Sequence, residues 1–421
     1  MLILVASVGG SVAPIASAIA AKRPDHVLFV ASEPRGDRPG SAGEVPSILQ
    51  KAQRPKQAHD ILRLEDPDDP EAAFLALRGE VERLRGKHPS ACFLFDYTGG
   101  TKSMTSAVFQ CALATPGAEL QLMTGRREDL QGVTPRTERP VEIRVGWLLA
   151  ERQEARLREA WRRFDYAAAA AGFRHLDEDL GSDEKAPEEL RRRYADLAEI
   201  SEAFDLWDRF RHKAAAERLQ GLVRRRPAVA AWARRAQACA ADEAARILDL
   251  WRNAERCAAR GRYDDAVARL YRLTEWIVQW RLKARHGLDA GKMDWSRVPS
   301  KVVAAAGLRE QVGKTTLSGC EQAWKLVAAL EPQGVVVGFL SSRFPHTEPK
   351  TGEGWLRDML KLRNRSILAH GETPLAESDW EEWHKFAEAM RTRVFVPLLR
   401  DAGKAADLPP QLPEDPAKLG L

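Results

Sequence analysis

Toward the end of the chain, LRNRSILAHGE (362–372) places Arg363, Asn364 and Arg365 a few residues ahead of His370. An imidazole exchanges protons near neutral pH, and a guanidinium balances charge building on a phosphate. The set therefore suits phosphodiester chemistry. If the helix beginning upstream runs through this stretch, Arg363 and His370 are seven residues apart, about 20° around the axis and roughly 10 Å along it. They then share the stripe of Leu356, Leu360 and Ile367, while Arg365 points about 140° away, so Arg363 is the better partner of His370. The plainer alternative is a core-facing histidine beside a snorkelling arginine. Against it, a buried arginine needs a partner, and that face carries no carboxylate. The 10 Å gap fits two copies meeting antiparallel across a two-fold axis, each bringing Arg363 toward the other's His370.

A second constellation holds rather than cuts. DYTGGTKSM (96–104) follows an apolar run and opens a helical one, so Thr98, Gly99, Gly100, Thr101 and Lys102 stand at a helix N-terminus. Two hydroxyls, two glycines and a lysine there form a cradle for a phosphodiester or ribose edge. The earlier loop SVGGSVAP (7–14) repeats the arrangement after the first apolar run, with Ser7, Gly9, Gly10 and Ser11. Taken alone it is as well explained by a tight turn, and it does not meet the G-x-G-x-x-G dinucleotide pattern. Neither loop has the glycine spacing of a Walker A motif. GLREQVGKTT imitates the end of one at Gly313, Lys314 and Thr315, but the spacing from Gly307 fails and no strand precedes it.

The elements that must position these residues change character along the chain. Up to about residue 146, short β-rich runs (LILVASV, VLFVAS, DILRL, ACFLFDYT, AELQLMTG, VEIRVGWLL) alternate with helical stretches such as PEAAFLALRGEVERLR. That alternation predicts a mostly parallel, doubly wound sheet with ligands beyond the carboxyl ends of its strands. After residue 150 strand signals nearly vanish. The reading is an α/β domain over 1–150, a helical connector over 151–245 broken near DEDLGSDEKAPEEL and at Pro227, an all-α domain over 246–400, and a mobile Pro-rich tail over 401–421. YDDAVARLY has a tetratricopeptide flavour, but no second copy appears at a fixed period.

Composition sets limits on function. The 421 residues fit two or three domains. No apolar stretch approaches the roughly 20 residues that span a bilayer, and the N-terminus lacks the charged start of a signal peptide. The five cysteines (Cys92, Cys111, Cys239, Cys257, Cys320) are odd in number, scattered and never in a C-x-x-C pair. This argues against a disulfide framework or a zinc site and implies a reducing, cytoplasmic setting. A net charge of +5 is too mild to announce nucleic-acid binding but allows a local basic patch.

Together the motifs carry a resemblance. SVGGS after the first strand and DYTGGTKSM after the fourth resemble a CARF domain, the Rossmann-like sensor of type III CRISPR systems. Arg363 and His370, with Asn364 in the usual polar second place, resemble the HEPN ribonuclease signature of Arg, four to six residues, then His. Arg365 also satisfies that spacing, so the identity of the arginine stays open. The resemblance implies a CARF–HEPN ribonuclease: a homodimer that binds cyclic oligoadenylate through Ser7, Gly9, Gly10, Ser11 and Thr98 to Lys102. It would cut single-stranded RNA with Arg363, Asn364 and His370, with no metal or other cofactor and no membrane. The rival is a non-enzymatic nucleotide-sensing regulator whose helical half binds a partner or nucleic acid.

Overall fold

The apolar runs of the first unit form six strands, β1 (Leu2–Ser7), β2 (His26–Ser32), β3 (His59–Leu64), β4 (Cys92–Asp96), β5 (Glu119–Thr124) and β6 (Arg139–Ile143). This arrangement comes from a computed structural model that describes residues 1–34, 39–125, 139–143, 146–181, 186–345 and 349–421. The sheet order is β3-β2-β1-β4-β5-β6, parallel except for the β5–β6 pair. The expected Rossmann-like sheet is present, and the order reverses between β1 and β4, which is where such sheets bind ligands.

Helices α1 (Ala13–Lys22), α2 (Val45–Lys51), α3 (Pro70–Lys87) and α4 (Lys102–Ala114) cover the sheet. Successive side chains leave a strand on opposite faces. Ile3, Val5, Leu28 and Val30 therefore meet Leu77, Val81 and Val108 on one side. Leu4, Ala6, Val27 and Phe29 meet Ile15, Ile19 and Ile48 on the other. Burial on both faces is why β1 and β2 read as continuous apolar runs rather than alternating ones. Helix α3 starts where Asp69 accepts from the amides of Glu71 and Ala72 at 3.0 Å, with Pro70 in the first turn.

The expected strand over VEIRVGWLL stops at Ile143, and helix α5 (Gly146–Arg162) takes over; residues 144–145 lie outside the described residues. The Ala-, Arg-, Glu- and Leu-rich sequence that follows favours helix and claims Trp147 to Leu149.

The chain divides into two compact units, Met1–Gln153 and Glu154–Leu421. The second is helical as expected, with α6 (Tyr166–Gly181), α7 (Glu188–Asp208), α8 (His212–Leu222), α9 (Ala230–Ala241), α10 (Glu243–Ala259), α11 (Tyr263–His286), α12 (Ser300–Ala305), α13 (Cys320–Leu330), α14 (Val335–Ser341), α15 (Gly352–Asn364), α16 (Glu377–Met390) and α17 (Val396–Asp401). A hairpin of two-residue strands, β7 (Arg343–Phe344) and β8 (Lys350–Thr351), precedes α15. Trp251, Trp324, Trp383 and Phe386 are buried in the core that α10, α11, α13 and α16 share. The expected break at DEDLGSDEKAPEEL is shorter than its sequence suggests, because α6 runs to Gly181 and α7 starts at Glu188; residues 182–185 lie outside the described residues. No single helix among the described residues is long and apolar enough to cross a membrane.

Two features of this unit differ from the sequence reading. The Pro-rich tail packs instead of trailing free: Leu412 and Leu419 are buried, Tyr166 donates to the Pro413 carbonyl at 2.7 Å, and Arg158 pairs with Asp415 at 2.9 Å. Prolines cannot extend a helix, but their carbonyls still accept hydrogen bonds, and the leucines between them find a core. A helical-hairpin turn also recurs. Between α5 and α6, α7 and α8, and α10 and α11 stand Arg163-Phe164-Asp165, Arg209-Phe210-Arg211 and Arg260-Gly261-Arg262, with the middle residue left-handed each time (φ 57°, 63° and 69°). Each middle amide bonds three residues back at 2.8 Å, and each third amide five residues back at 2.8, 2.8 and 3.0 Å. The copies stand at unequal intervals, so no fixed period reveals them.

Candidate functional site

At the switch point of the first unit, β1 and β4 end level, with Ala6 opposite Asp96, and deliver the two glycine loops side by side. The loops pack on each other first. Ser7, fully buried, donates to the Gly99 carbonyl. A Cβ on Gly9 would lie 2.5 Å from the Gly100 amide nitrogen, and one on Gly99 2.7 Å from the Ser7 carbonyl oxygen. Gly100 has a φ of 98°, the left-handed region that glycine tolerates. The sequence reading gave these glycines to a ligand; in the structure Gly9 and Gly99 serve the close approach of loop to loop.

The threonine hydroxyls are engaged too. Thr98 accepts from the Met123 amide at 2.8 Å, while Thr101 caps α4 by accepting from Met104 at 3.2 Å and donates to the Pro67 carbonyl. Gly10, Ser11 and Lys102 remain exposed, and Lys102 has no carboxylate partner among the described residues. A cleft of about 370 Å³ opens here, lined by Gly9, Gly10, Gly100, Thr101 and, from a third segment, Ser32 and Ser41.

That third rim was not foreseen. Ser32 and Ser41 exchange backbone-to-hydroxyl bonds at 2.9 and 3.0 Å, and a Cβ on Gly40 would strike the Ser32 carbonyl oxygen at 2.3 Å. The serine and glycine of SEPRGDRPGSAG were the available signal. Asp96 was also missed as a support. It is buried and accepts from the Thr98 amide at 2.9 Å and the Gln121 amide group at 2.7 Å. Burial, the largest influence, raises its carboxyl above the usual range, against the lowering by Thr98 and Gln121.

In the second unit the helix does not run through LRNRSILAHGE. Helix α15 ends at Asn364, Arg365 caps it, and Ile367 to His370 form a turn. The helical phase that paired Arg363 with His370 therefore does not exist, nor does the 10 Å rise between them. Ser366 is the local cause: its hydroxyl accepts from the Leu368 amide at 3.2 Å, offering the backbone an alternative to the next helical turn. The chain then folds back. The amides of Ala369 and Gly371 both bond the Ser366 carbonyl, at 3.0 and 3.2 Å, and Thr373 donates to the Arg365 carbonyl at 3.3 Å.

Gly371 lies against the backbone of Arg365, where an added Cβ would fall 1.9 Å from the carbonyl oxygen. The loop thus brings the main chain beside His370 back onto Arg365. Both side chains are exposed, and neither has a hydrogen-bond or ion-pair partner among the described residues. Arg363 is committed elsewhere, its guanidinium 4.3 Å above the Tyr271 ring and 3.1 Å from the Asn364 side-chain oxygen. The partner that a half-buried arginine needed is an aromatic face. Leu356 is buried as expected, whereas Ile367 and Leu368 are 59% and 51% exposed beside His370.

Among the described residues one group could gather a cation: His212, Cys239 and Asp249, all buried, with the His212 ring 2.8 Å from Asp249. None of the three belongs to either constellation above.

Residues 235–393 match the family described as the Csm6 HEPN domain, a span that includes the fold-back loop. In three dimensions the chain is similar to Enterococcus italicus Csm6, solved bound to cyclic hexa-2'-fluoro-hexa-dAMP, with a TM-score of 0.60 over 95% of each chain at 14% identity. No curated protein matches it in sequence. Residues 235–393 of the helical unit thus match a HEPN domain of the Csm6 kind, and the chain as a whole, a Rossmann-like sheet followed by a helical half, shares the fold of that solved Csm6.

Proposed function

We propose that this protein is an endoribonuclease for single-stranded RNA, switched on when cyclic oligoadenylate occupies the cleft between the two glycine loops, and that it works as a cytoplasmic homodimer in type III CRISPR antiviral defence. The observation that carries the reading is the fold-back loop: exposed Arg365 and His370 face solvent on one tight turn inside the stretch that matches a Csm6 HEPN domain. The neighbour's bound cyclic hexanucleotide supports the ligand class. Gly10, Ser11 and Lys102 are the groups left free to meet such a ring, whose phosphates suit a lysine at the start of α4.

In the reaction, the ribose 2′-OH attacks the adjacent phosphorus and His370 acts in proton transfer. An arginine balances charge on the phosphorane-like transition state. The stacking of Arg363 on Tyr271 makes Arg365 the better candidate for that task, with Arg363 and Asn364 fixing the end of α15 from which the loop departs. The substrate supplies its own nucleophile, so no divalent ion is required to generate one. The 5′ product then carries a 2′,3′-cyclic phosphate and the 3′ product a free 5′-OH.

Labelled RNA incubated with and without cyclic oligoadenylates, in the presence of a chelator, tests this. Ligand-dependent cutting with those ends is the expected result, lost in His370→Ala by ~10²–10⁴-fold and more in Arg365→Ala than in Arg363→Ala. Cutting that needs a metal and leaves a 5′-phosphate overturns the mechanism. A folded protein that binds the ring but cuts nothing leaves the sensing regulator as the function.

A further inference from the structure

The recurring hairpin turn places an arginine at the same point three times, and all three copies reach one cavity. Arg163, Arg209 and Arg260 each immediately follow the first helix of a hairpin, and each lines a cleft of about 640 Å³ in the second unit. Arg262 and Arg269 complete a lining of five arginines against three aspartates, Asp165, Asp205 and Asp208.

Helix stability accounts for only part of this. A cation at a helix C-terminus is favoured by the dipole, which explains one arginine per turn. Arg262, however, is the N-cap of α11, where the dipole disfavours a cation. Internal pairing is incomplete: Arg209 meets Asp205 at 3.0 Å, and Arg262 and Arg269 share Asp265 at 2.6 and 3.0 Å, but Arg163 has no carboxylate partner among the described residues, and the Nε of Arg260 is buried without one although its other end meets Asp208 at 2.8 Å. Forked donors in excess over the aspartates of an open cleft match phosphate oxygens better than a cationic or apolar ligand.

We propose that this cleft binds the phosphate groups of a nucleic-acid chain or nucleotide, at a site separate from both the glycine-loop cleft and the His370 loop. With the ribonuclease reading above, on which the choice of RNA rests, it becomes a holding point for the substrate strand.

The test uses the full-length protein, an uncleavable 2′-O-methyl RNA 20-mer read by fluorescence anisotropy across a salt series, and ATP read by calorimetry. The variant Arg163→Ala/Arg262→Ala removes two exposed guanidiniums. Arg174→Ala/Arg192→Ala, two exposed arginines of α6 and α7 outside the cleft, controls for net charge. The expected result is RNA affinity lowered about five-fold or more and a salt slope shallower by about 1.4 if both contacts are lost, at roughly 0.7 per single-strand contact. The control variant should stay near wild type, and Arg163→Lys/Arg262→Lys should recover part of the loss. Loss of ATP binding with RNA binding unchanged supports the cleft and assigns it to a free nucleotide. If cleft and control variants behave alike toward both probes, the proposal is wrong. Because the readout is binding without cutting, it stands or falls independently of the activity of His370.

Discussion

Replacing Gly371 by alanine should suppress the proposed RNA cutting without unfolding the protein. The alanine Cβ would stand 1.9 Å from the Arg365 carbonyl oxygen, 2.3 Å from its carbon and 2.6 Å from its Cα. All three are backbone atoms, so no side-chain rotation relieves the clash. The fold-back must open by roughly 1 Å or more, since a Cβ essentially never approaches a backbone atom closer than 3.0 Å. Opening it fully forfeits the bonds Ala369 to Ser366, Gly371 to Ser366 and Thr373 to Arg365. At about 0.5–1.5 kcal/mol net each, the loss is about 1.5–4.5 kcal/mol. That is below the 5–15 kcal/mol typical of a folded domain. The unit should therefore still melt cooperatively, while a displacement of about 1 Å at His370 lowers the rate roughly 10²-fold. The assay is single-turnover cutting of a fluorophore–quencher RNA at saturating activator, beside a thermal melt and an activator-binding measurement. Wild-type cutting by Gly371→Ala would refute the claim that this loop positions the histidine.

The glycines of the sensor should separate by role. Gly9→Ala must push against the Gly100 backbone and should weaken both stability and activator binding, whereas a Cβ on Gly10 meets nothing within 4 Å, so Gly10→Trp should leave the melt unchanged and block the activator; equal melting losses in the two variants would contradict this. Asp96 should make the first unit less stable as pH rises: its buried carboxyl has a raised value, so the folded state holds a proton the unfolded chain has released, and stability falls between the ordinary carboxylate value of about 4 and the raised one. Asp96→Asn should flatten that part of the stability–pH curve, and an unchanged slope in a pH-dependent melt counts against the argument. Deleting residues 409–421 removes buried Leu412 and Leu419 and strips Arg256 of its 2.7 Å bond to Gln411. At about 1.5–3 kcal/mol per buried leucine, the loss should be visible as a lower melting temperature; an unchanged melt would mean the tail adds nothing.

The hairpin turns show how legibility depends on what the physics requires of each position. Two of the three left-handed residues are phenylalanines, Phe164 and Phe210, where glycine is the ordinary signal. Tertiary packing selected the ring: Phe164 is 5% exposed, and its contacts offset a strained backbone. Only Gly261 carried the expected mark. The same holds for Asp96, whose role as an anchor for the TGGTK loop depends on Gln121, a residue on the neighbouring strand.

The sequence by itself determined the sheet and the helical half, because apolar period and helix propensity are local and add up over many residues. It also picked out both glycine loops and the Arg–His stretch, since their residue types are rare at such junctions. Only the tertiary structure decided which glycines serve the fold and which face the cleft, because a close approach between loops some 90 residues apart leaves no local mark. It alone ended α15 at Asn364, where a hydroxyl, a glycine and the backbone of Arg365 together outweigh the pull to continue a helix. It alone gave Arg363 to Tyr271, a ring on α11, and left Arg365 exposed on the turn that leads to His370.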